Sequence, residues 1–183
     1  YVYLLKELMQ ALSALSDRSK YPCLSFTHGQ PAVPTLLSKE LDVFWMRLDR
    51  QFFQLSRSTL SAKFGGAVGG LNAHVFCYPE HNWEEFCDSF VSKYGLERNT
   101  YTTQIDSYDS YAEVFQNIMR INNICLDLAQ DVWLYCSKHY FTLHKIKSEV
   151  GSSTMPHKVN PIDFENAEGN VHLANSLLEM FAR

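Results

Sequence analysis

The chain has 183 residues, of which 46% are hydrophobic and 20% charged, a balance that indicates one folded domain and excludes a disordered or collagen-like chain. Its formal net charge is -4, so it lacks the general positive charge that binds a nucleic-acid backbone. Because no apolar run approaches the roughly 18 residues of a membrane helix and no basic leader is recognisable, we expect a cytoplasmic protein with no membrane partner.

Four segments, taken in chain order, repeat apolar residues at intervals of three and four. This spacing keeps one stripe of a helix facing a partner over many turns and predicts four long helices. The sequence therefore predicts an all-α fold, a bundle of long helices. The stripes are Tyr1, Leu5, Leu8, Leu12 and Leu15; Leu37, Leu41, Phe44, Leu48, Phe52, Leu55, Thr59 and Ala62; Tyr111, Val114, Ile118, Ile121, Cys125, Leu128, Val132 and Tyr135; and Phe164, Ala167, Val171, Ala174, Leu178 and Phe181.

Proline, glycine and polar residues mark the connections between these helices. Residues 21–34, 65–70, 99–106 and 147–161 are each predicted to be non-helical. A shorter amphipathic helix is predicted over residues 82–94, where Gly95 would end it. No segment alternates in the manner of a β-strand, so we expect no sheet.

Several familiar kinds of site are disfavoured by spacing. The glycines at residues 65–70 are not followed by the Lys-Ser/Thr of a phosphate-binding loop, which favours a tight connection. His74, Cys77, His81 and Cys87 match no zinc pattern, so we expect no metal. Five cysteines, without a C-x-x-C pair, suggest reduced thiols rather than a disulfide framework.

Two connections carry residues suited to chemistry. In the first, THGQPA at residues 27–32, His28 is predicted to lie at the surface or to line a cleft. The second, GSSTMPHKVNP at residues 151–161, combines small hydroxyl side chains, Lys158 and Asn160 just before a predicted helix. One interpretation of such a segment is a plain flexible loop. The other is an anion-binding lid, because lysine and free backbone amides both bind carboxylate or phosphate.

The second segment resembles the G-S-x-x-M-P-x-K-x-N signature of the fumarase/aspartase superfamily. Within that superfamily, THGQPA together with YTTQID at residues 101–106 and IDFENAEGN at residues 162–170 is similar to the adenylosuccinate lyases, over essentially the whole chain. Argininosuccinate lyases and fumarases fit less well, because they tend to carry THLQ where this chain has THGQ.

The resemblance implies an enzyme that releases fumarate from adenylosuccinate, giving AMP, and from the succinylcarboxamide ribotide of purine synthesis, without cofactor or metal. It implies that Ser152 is the catalytic base and His28 the acid that protonates the departing amine. It also implies a homotetramer, with active sites shared between subunits. The substrate-binding residues that it implies are Gln104, Ser153, Lys158, Val159, Asn160 and Asn166.

Some features leave alternatives open. Phe26 stands where many of the resembled lyases have Arg. The chain lacks an initial Met and both ends interrupt apolar repeats, so we expect residues 1–183 to be the central helical domain of a longer lyase. The alternatives are another lyase of the superfamily or a non-catalytic structural homologue that retains the bundle.

Overall fold

A computed structural model describes residues 1–144, 154–155 and 158–183. The bundle of long helices predicted from sequence is confirmed. Within the described ranges, no helix is both long and apolar enough to cross a bilayer. The helices are α1 (Val2–Arg18), α2 (Leu37–Arg57), α3 (Asn72–Cys77), α4 (Trp83–Ser92), α5 (Asp109–Ser137) and α6 (Ile162–Phe181), and the strands are β1 (Pro22–Thr27), β2 (Gln30–Leu36), β3 (Ser61–Ala62) and β4 (Glu97–Arg98).

The hydrophobic core lies where α1, α2 and α5 meet. Leu48 of α2 is fully buried and Ile121 of α5 is 1% exposed, and each fully buried aliphatic side chain stabilises a fold by about 1.5–3 kcal/mol. The first three predicted stripes therefore supply the core, whereas no side chain of α6, which carries the fourth stripe, is buried. The other buried members of this cluster are Leu5, Met9, Leu12, Phe44, Ile124 and Leu128.

Adjacent long helices run in opposite directions. Near the end of α1, the Ser16 hydroxyl donates to Asp42 at 2.5 Å, close to the start of α2. Along α2 and α5, Arg47 pairs with Asp127 at 2.6 Å and the earlier Arg120 donates to the later Gln51 at 2.8 Å, so these two helices run antiparallel. Gln130 of α5 donates to Glu168 of α6 at 2.9 Å. The end of α5 therefore lies beside both the start of α2 and the start of α6.

A layer of amides joins α5 to α6. The Asn122 side chain donates to Asn175 at 2.9 Å, and Asn175 donates to Asn123 at 2.8 Å. The hydroxyl of Tyr1 donates to the same Asn122 at 3.1 Å. Since Asn122 is 8% exposed, these bonds satisfy polar atoms that would otherwise be buried without partners.

The expectation of no sheet is wrong for residues 21–34, which contribute to an antiparallel β-hairpin formed by β1 and β2. His28 (φ 54) and Gly29 (φ 72) form its two-residue turn, and positive φ at both positions is the requirement of a type I′ hairpin turn. The prolines of this segment are tolerated because a two-stranded ribbon has two free edges, where a missing N–H breaks no internal ladder.

Two details of the predicted stripes are also wrong. The second stripe does not continue through Thr59 and Ala62, because α2 ends at Arg57 and Ala62 pairs with Arg98 in the short β3–β4 bridge. Leu15 is 39% exposed, whereas Ser16 is buried at 8%, because its hydroxyl binds Asp42. The shorter predicted helix is confirmed as α4, and all five cysteines are free thiols.

The core predicts a sharp difference between two positions of α2. We expect Leu48→Ala to lower the free energy of unfolding by about 2–5 kcal/mol, because it leaves a cavity in a fully buried site. Met46→Ala, at a side chain that is 53% exposed, should change it by less than about 0.5 kcal/mol. Urea unfolding followed by circular dichroism measures both, and equal effects would contradict this view of the core.

Candidate active site

His28 lies at the exposed tip of the β1–β2 hairpin. Its left-handed φ of 54 is one that histidine adopts more readily than most side chains other than glycine. A bulge interrupts the hairpin between Leu24 and Phe26, and there the Ser25 hydroxyl both donates to the carbonyl of Val33 and accepts from its N–H. The turn therefore presents the imidazole to solvent on a ribbon that its own hydrogen bonds hold together.

The start of α6 carries a second group of candidate residues. Lys158 and Val159 are exposed, Asn160 is half-buried, and Pro161 is the residue that precedes the helix. The N–H of Lys158 donates to the Met155 carbonyl at 2.9 Å.

Asn166 is an exposed residue of α6, and its carbonyl accepts from Asn170 at 2.7 Å. Asn166 thus lies in the helix that begins directly after the signature segment. Ser152 and Ser153, the predicted base and one predicted binding residue, lie outside the described residues.

Gln104 lies on a segment tied down by a buried carboxylate two residues later. Asp106 is 6% exposed and accepts from Ser61 at 3.2 Å, from Asn99 at 3.0 Å and from the Tyr108 N–H at 3.1 Å. Three donors satisfy the charge that burial would otherwise penalise. The Gln104 side chain itself is exposed, so a fixed main chain carries an accessible amide.

Tyr135 organises the end of α5. Its ring packs edge-on against Phe141 at 5.5 Å and against Tyr140 at 6.0 Å. Burial, together with nearby Asp131, raises the pKa of Tyr135 to about 12, so the phenol is neutral at physiological pH. The Leu37 N–H donates to the Tyr21 carbonyl at 3.0 Å, which places the base of the hairpin at the start of α2, the end of α2 that lies near Tyr135.

The structure places the candidate residues at the start of α6 at one end of the bundle and Gln104 at the opposite end. The hairpin base, joined to the start of α2, and the start of α6 lie at the end of α5, whereas Gln104 lies beside its start, where Ser110 contacts Ser61. α5 has 29 residues, and at about 1.5 Å per residue it spans about 43 Å. Within one chain, therefore, the segment of Gln104 is far from the start of α6.

The two histidines that match no zinc pattern belong to an aromatic cluster. His81 and His74 pack edge-on against Trp83, with ring centroids 4.7 Å and 5.0 Å away. Over the parts of the chain that the structure describes, no three His, Cys, Asp or Glu side chains are grouped as metal ligands.

The family model described as "Lyase" matches residues 2–173. The chain belongs to this lyase family. The predicted membership of the fumarase/aspartase superfamily is thereby confirmed, and the four long helices are the helical domain of that family.

The motifs of the sequence do not predict that Asp106 holds the Gln104 segment. A local signal does exist, because an Asp shortly before a helix often bonds the backbone two residues on.

Among curated proteins, this lyase chain is similar to three adenylosuccinate lyases from different organisms. It is 54% identical over 96% of its length to that of Legionella pneumophila (strain Corby), 52% over 86% to that of Dictyostelium discoideum and 48% over 88% to that of Escherichia coli (strain K12). The chain spans 39%, 34% and 35% of these three relatives.

The anchoring of the Gln104 segment of this lyase can be tested at Asp106. We expect Asp106→Ala to lower the free energy of unfolding by about 1–3 kcal/mol, because three donors lose their buried acceptor. Asp109→Ala, which removes an exposed carboxylate from the first turn of α5, should lower it by less than about 1 kcal/mol. Urea unfolding distinguishes the two, and an effect of Asp106→Ala no larger than the control would refute the anchoring role.

Proposed function

We propose that this chain is the central helical domain of a longer, cytoplasmic adenylosuccinate lyase, which cleaves adenylosuccinate to AMP and fumarate. The observation that carries the proposal is the 54% identity over 96% of the chain to a relative named for this activity. We extend the proposal to the succinylcarboxamide ribotide of purine synthesis, since it presents the same succinyl-amine group to be eliminated.

The proposed reaction is an anti β-elimination. Ser152, as alkoxide, removes a proton from the succinyl carbon beside a carboxylate, the C–N bond breaks, and the electron pair of that bond goes to the departing amine nitrogen. His28 donates a proton to this nitrogen. No electron is gained or lost overall, so the chemistry calls for no redox cofactor, and a lysine ammonium can supply the positive charge for which a metal would otherwise be needed.

The hard step is proton removal, because the carbanion spreads charge onto a carboxylate that is already negative. An ammonium group beside this carboxylate stabilises the intermediate more than the substrate, which lowers the barrier. Lys158 is the proposed source of that charge. The first turn of α6 carries Asp163 and Glu165, whose charges oppose a second anion, so the helix end alone is a poor substitute for Lys158.

The exposed candidate side chains support a site shared between subunits of a homotetramer. Gln104 and the start of α6 lie at opposite ends of the bundle, so one substrate meets both groups when the residues come from different copies. The positions of Ser153, Val159, Asn160 and Asn166 in the binding site are proposed on the resemblance alone.

The outer face of α6 also supports an oligomer. Leu173, Leu177 and Met180 follow one another at helical spacing and are 63%, 48% and 59% exposed. Apolar surface of this kind is stabilised by about 25 cal/mol for each Å² removed from water. α6 packs against α5 on its other side, which leaves this stripe for another copy of the chain.

We expect Leu177→Asp in the full-length protein to lower the oligomeric mass, because a carboxylate would have to be buried in the interface between copies. His172→Asp introduces the same charge at an exposed position about 100° around the helix from Leu173 and should leave the mass unchanged. Light scattering on the purified proteins measures this difference. A tetrameric mass for both variants would argue against this face as the interface.

The catalytic roles predict losses of activity in the full-length protein. We expect Ser152→Ala and His28→Asn each to lower kcat/KM for fumarate release from adenylosuccinate by about 10²–10⁴-fold. Asparagine is chosen because it tolerates the left-handed φ of the turn while removing the imidazole. His139→Asn is the matched control, since His139 has a φ of 63 and is also exposed, and it should retain activity.

Other outcomes would redirect the proposal. A full-length protein that releases fumarate from a different substrate, but not from adenylosuccinate, would be another lyase of the superfamily. A folded tetramer without any such activity would be a non-catalytic homologue that retains the bundle. Full activity in both His28→Asn and Ser152→Ala would overturn the assignment of acid and base.

A further inference from the structure

Lys63 bridges two loops that are distant in sequence. Its Nζ donates to the carbonyl oxygen of Gly66 at 2.8 Å and also to the carbonyl oxygen of Gln104. The residue is half-buried, and in the described parts of the chain its ammonium pairs with no carboxylate. A charge-assisted bond of this kind is stronger than one between neutral groups, so Lys63 ties the main chain of Gln104 to the loop formed by residues 65–70.

That loop, the glycine turn, is shaped to receive the segment of Gln104. Gly69 has a φ of +81, and a Cβ added there would overlap the Thr102 carbonyl oxygen and lie 2.8 Å from its carbonyl carbon. The Gly66 N–H donates to the Gly70 carbonyl at 2.7 Å and thereby closes the turn. Backbone therefore packs directly on backbone, an approach that a side chain at residue 69 would prevent.

The segment is held on its other side as well. Asp106 binds Ser61 and Asn99, so residues 102–106 lie between two anchors, Lys63 with the glycine turn and the buried carboxylate. The Gln104 side chain projects from this fixed main chain and is itself exposed. Fixing the backbone reduces the conformational freedom that an exposed side chain would lose on binding a ligand.

We propose that Lys63 and the glycine turn are a positioning device that orients the Gln104 amide toward the substrate. This inference rests on the proposed lyase function. Lys63 acts through Gln104 and touches no reacting atom, so it is a positioning residue. Its removal should weaken substrate binding more than it slows the chemical step.

The test is a double-mutant cycle in the full-length protein. We expect Lys63→Met to raise KM for adenylosuccinate by about tenfold while kcat stays within about threefold of wild type. In a protein that already carries Gln104→Ala, Lys63→Met should change KM by less than about twofold, because the side chain through which Lys63 affects substrate binding is absent. Lys63→Arg, which keeps a cationic donor, should bring KM back to within about threefold of wild type.

Lys93→Met is the matched control, since Lys93 is an exposed lysine on the segment after α4, and its KM should equal that of wild type. If the effects of Lys63→Met and Gln104→Ala multiply, Lys63 acts independently of Gln104 and the inference is overturned. If Lys63→Met does not fold, Lys63→Gln, which lacks the charge, replaces it in the cycle.

Hydrogen exchange separates this inference from the proposed function. Amides of residues 101–106 should exchange faster in Lys63→Met than in Lys93→Met, whatever reaction the protein performs. If the full-length protein does not act on adenylosuccinate but amide exchange is faster in Lys63→Met, the proposed function is refuted and the role of Lys63 in holding the segment remains. Unchanged exchange in a folded Lys63→Met protein would refute the holding role itself.

Discussion

The antiparallel packing of α1, α2 and α5 around Leu48 and Ile121 is the constraint on which the rest of the structure depends. The continuous apolar stripe of α5 keeps this helix rigid, because any bend would open cavities in a closely packed core. The two ends of α5 are therefore kept apart at a set distance. The base of the hairpin and the start of α6 take their places from one of those ends, and the Gln104 segment takes its place from the other.

The core of the bundle is apolar, so the candidate site residues lie outside it, on the connections and the helix ends. Two different devices hold exposed side chains there on ordered backbone. His28 is carried by a ribbon whose two-residue turn requires positive φ, and Gln104 by a segment that a buried carboxylate anchors. In both cases the fold fixes the main chain and leaves the functional group accessible, which is the arrangement expected of preorganised binding residues.

Apolar spacing is sufficient to predict the helices, because few structures besides a helix produce an apolar stripe that is sustained over many turns. It does not predict the hairpin, since Pro31 and Pro34 obscure the alternation and the decisive signal is the dipeptide His28-Gly29. The candidate site residues are identified by motifs. Which of them lie close together cannot be deduced from spacing, because an apolar stripe does not show which helix ends are neighbours in the fold. Lys63 escapes prediction because its partners are two backbone carbonyls, which leave no trace in the sequence.

The amide layer between α5 and α6 has a consequence for how the signature segment is placed. An apolar seam alone would tolerate a slide of α6 by one helical turn, about 5.4 Å, at modest cost. Such a slide would bring Val171 or Glu179 opposite Asn122 in place of Asn175 and would break both interhelical amide bonds at once. Asn175 therefore fixes the axial position of α6 relative to α5. The residues at the start of α6, Lys158 and Asn160, are thereby kept at a constant height along the bundle axis.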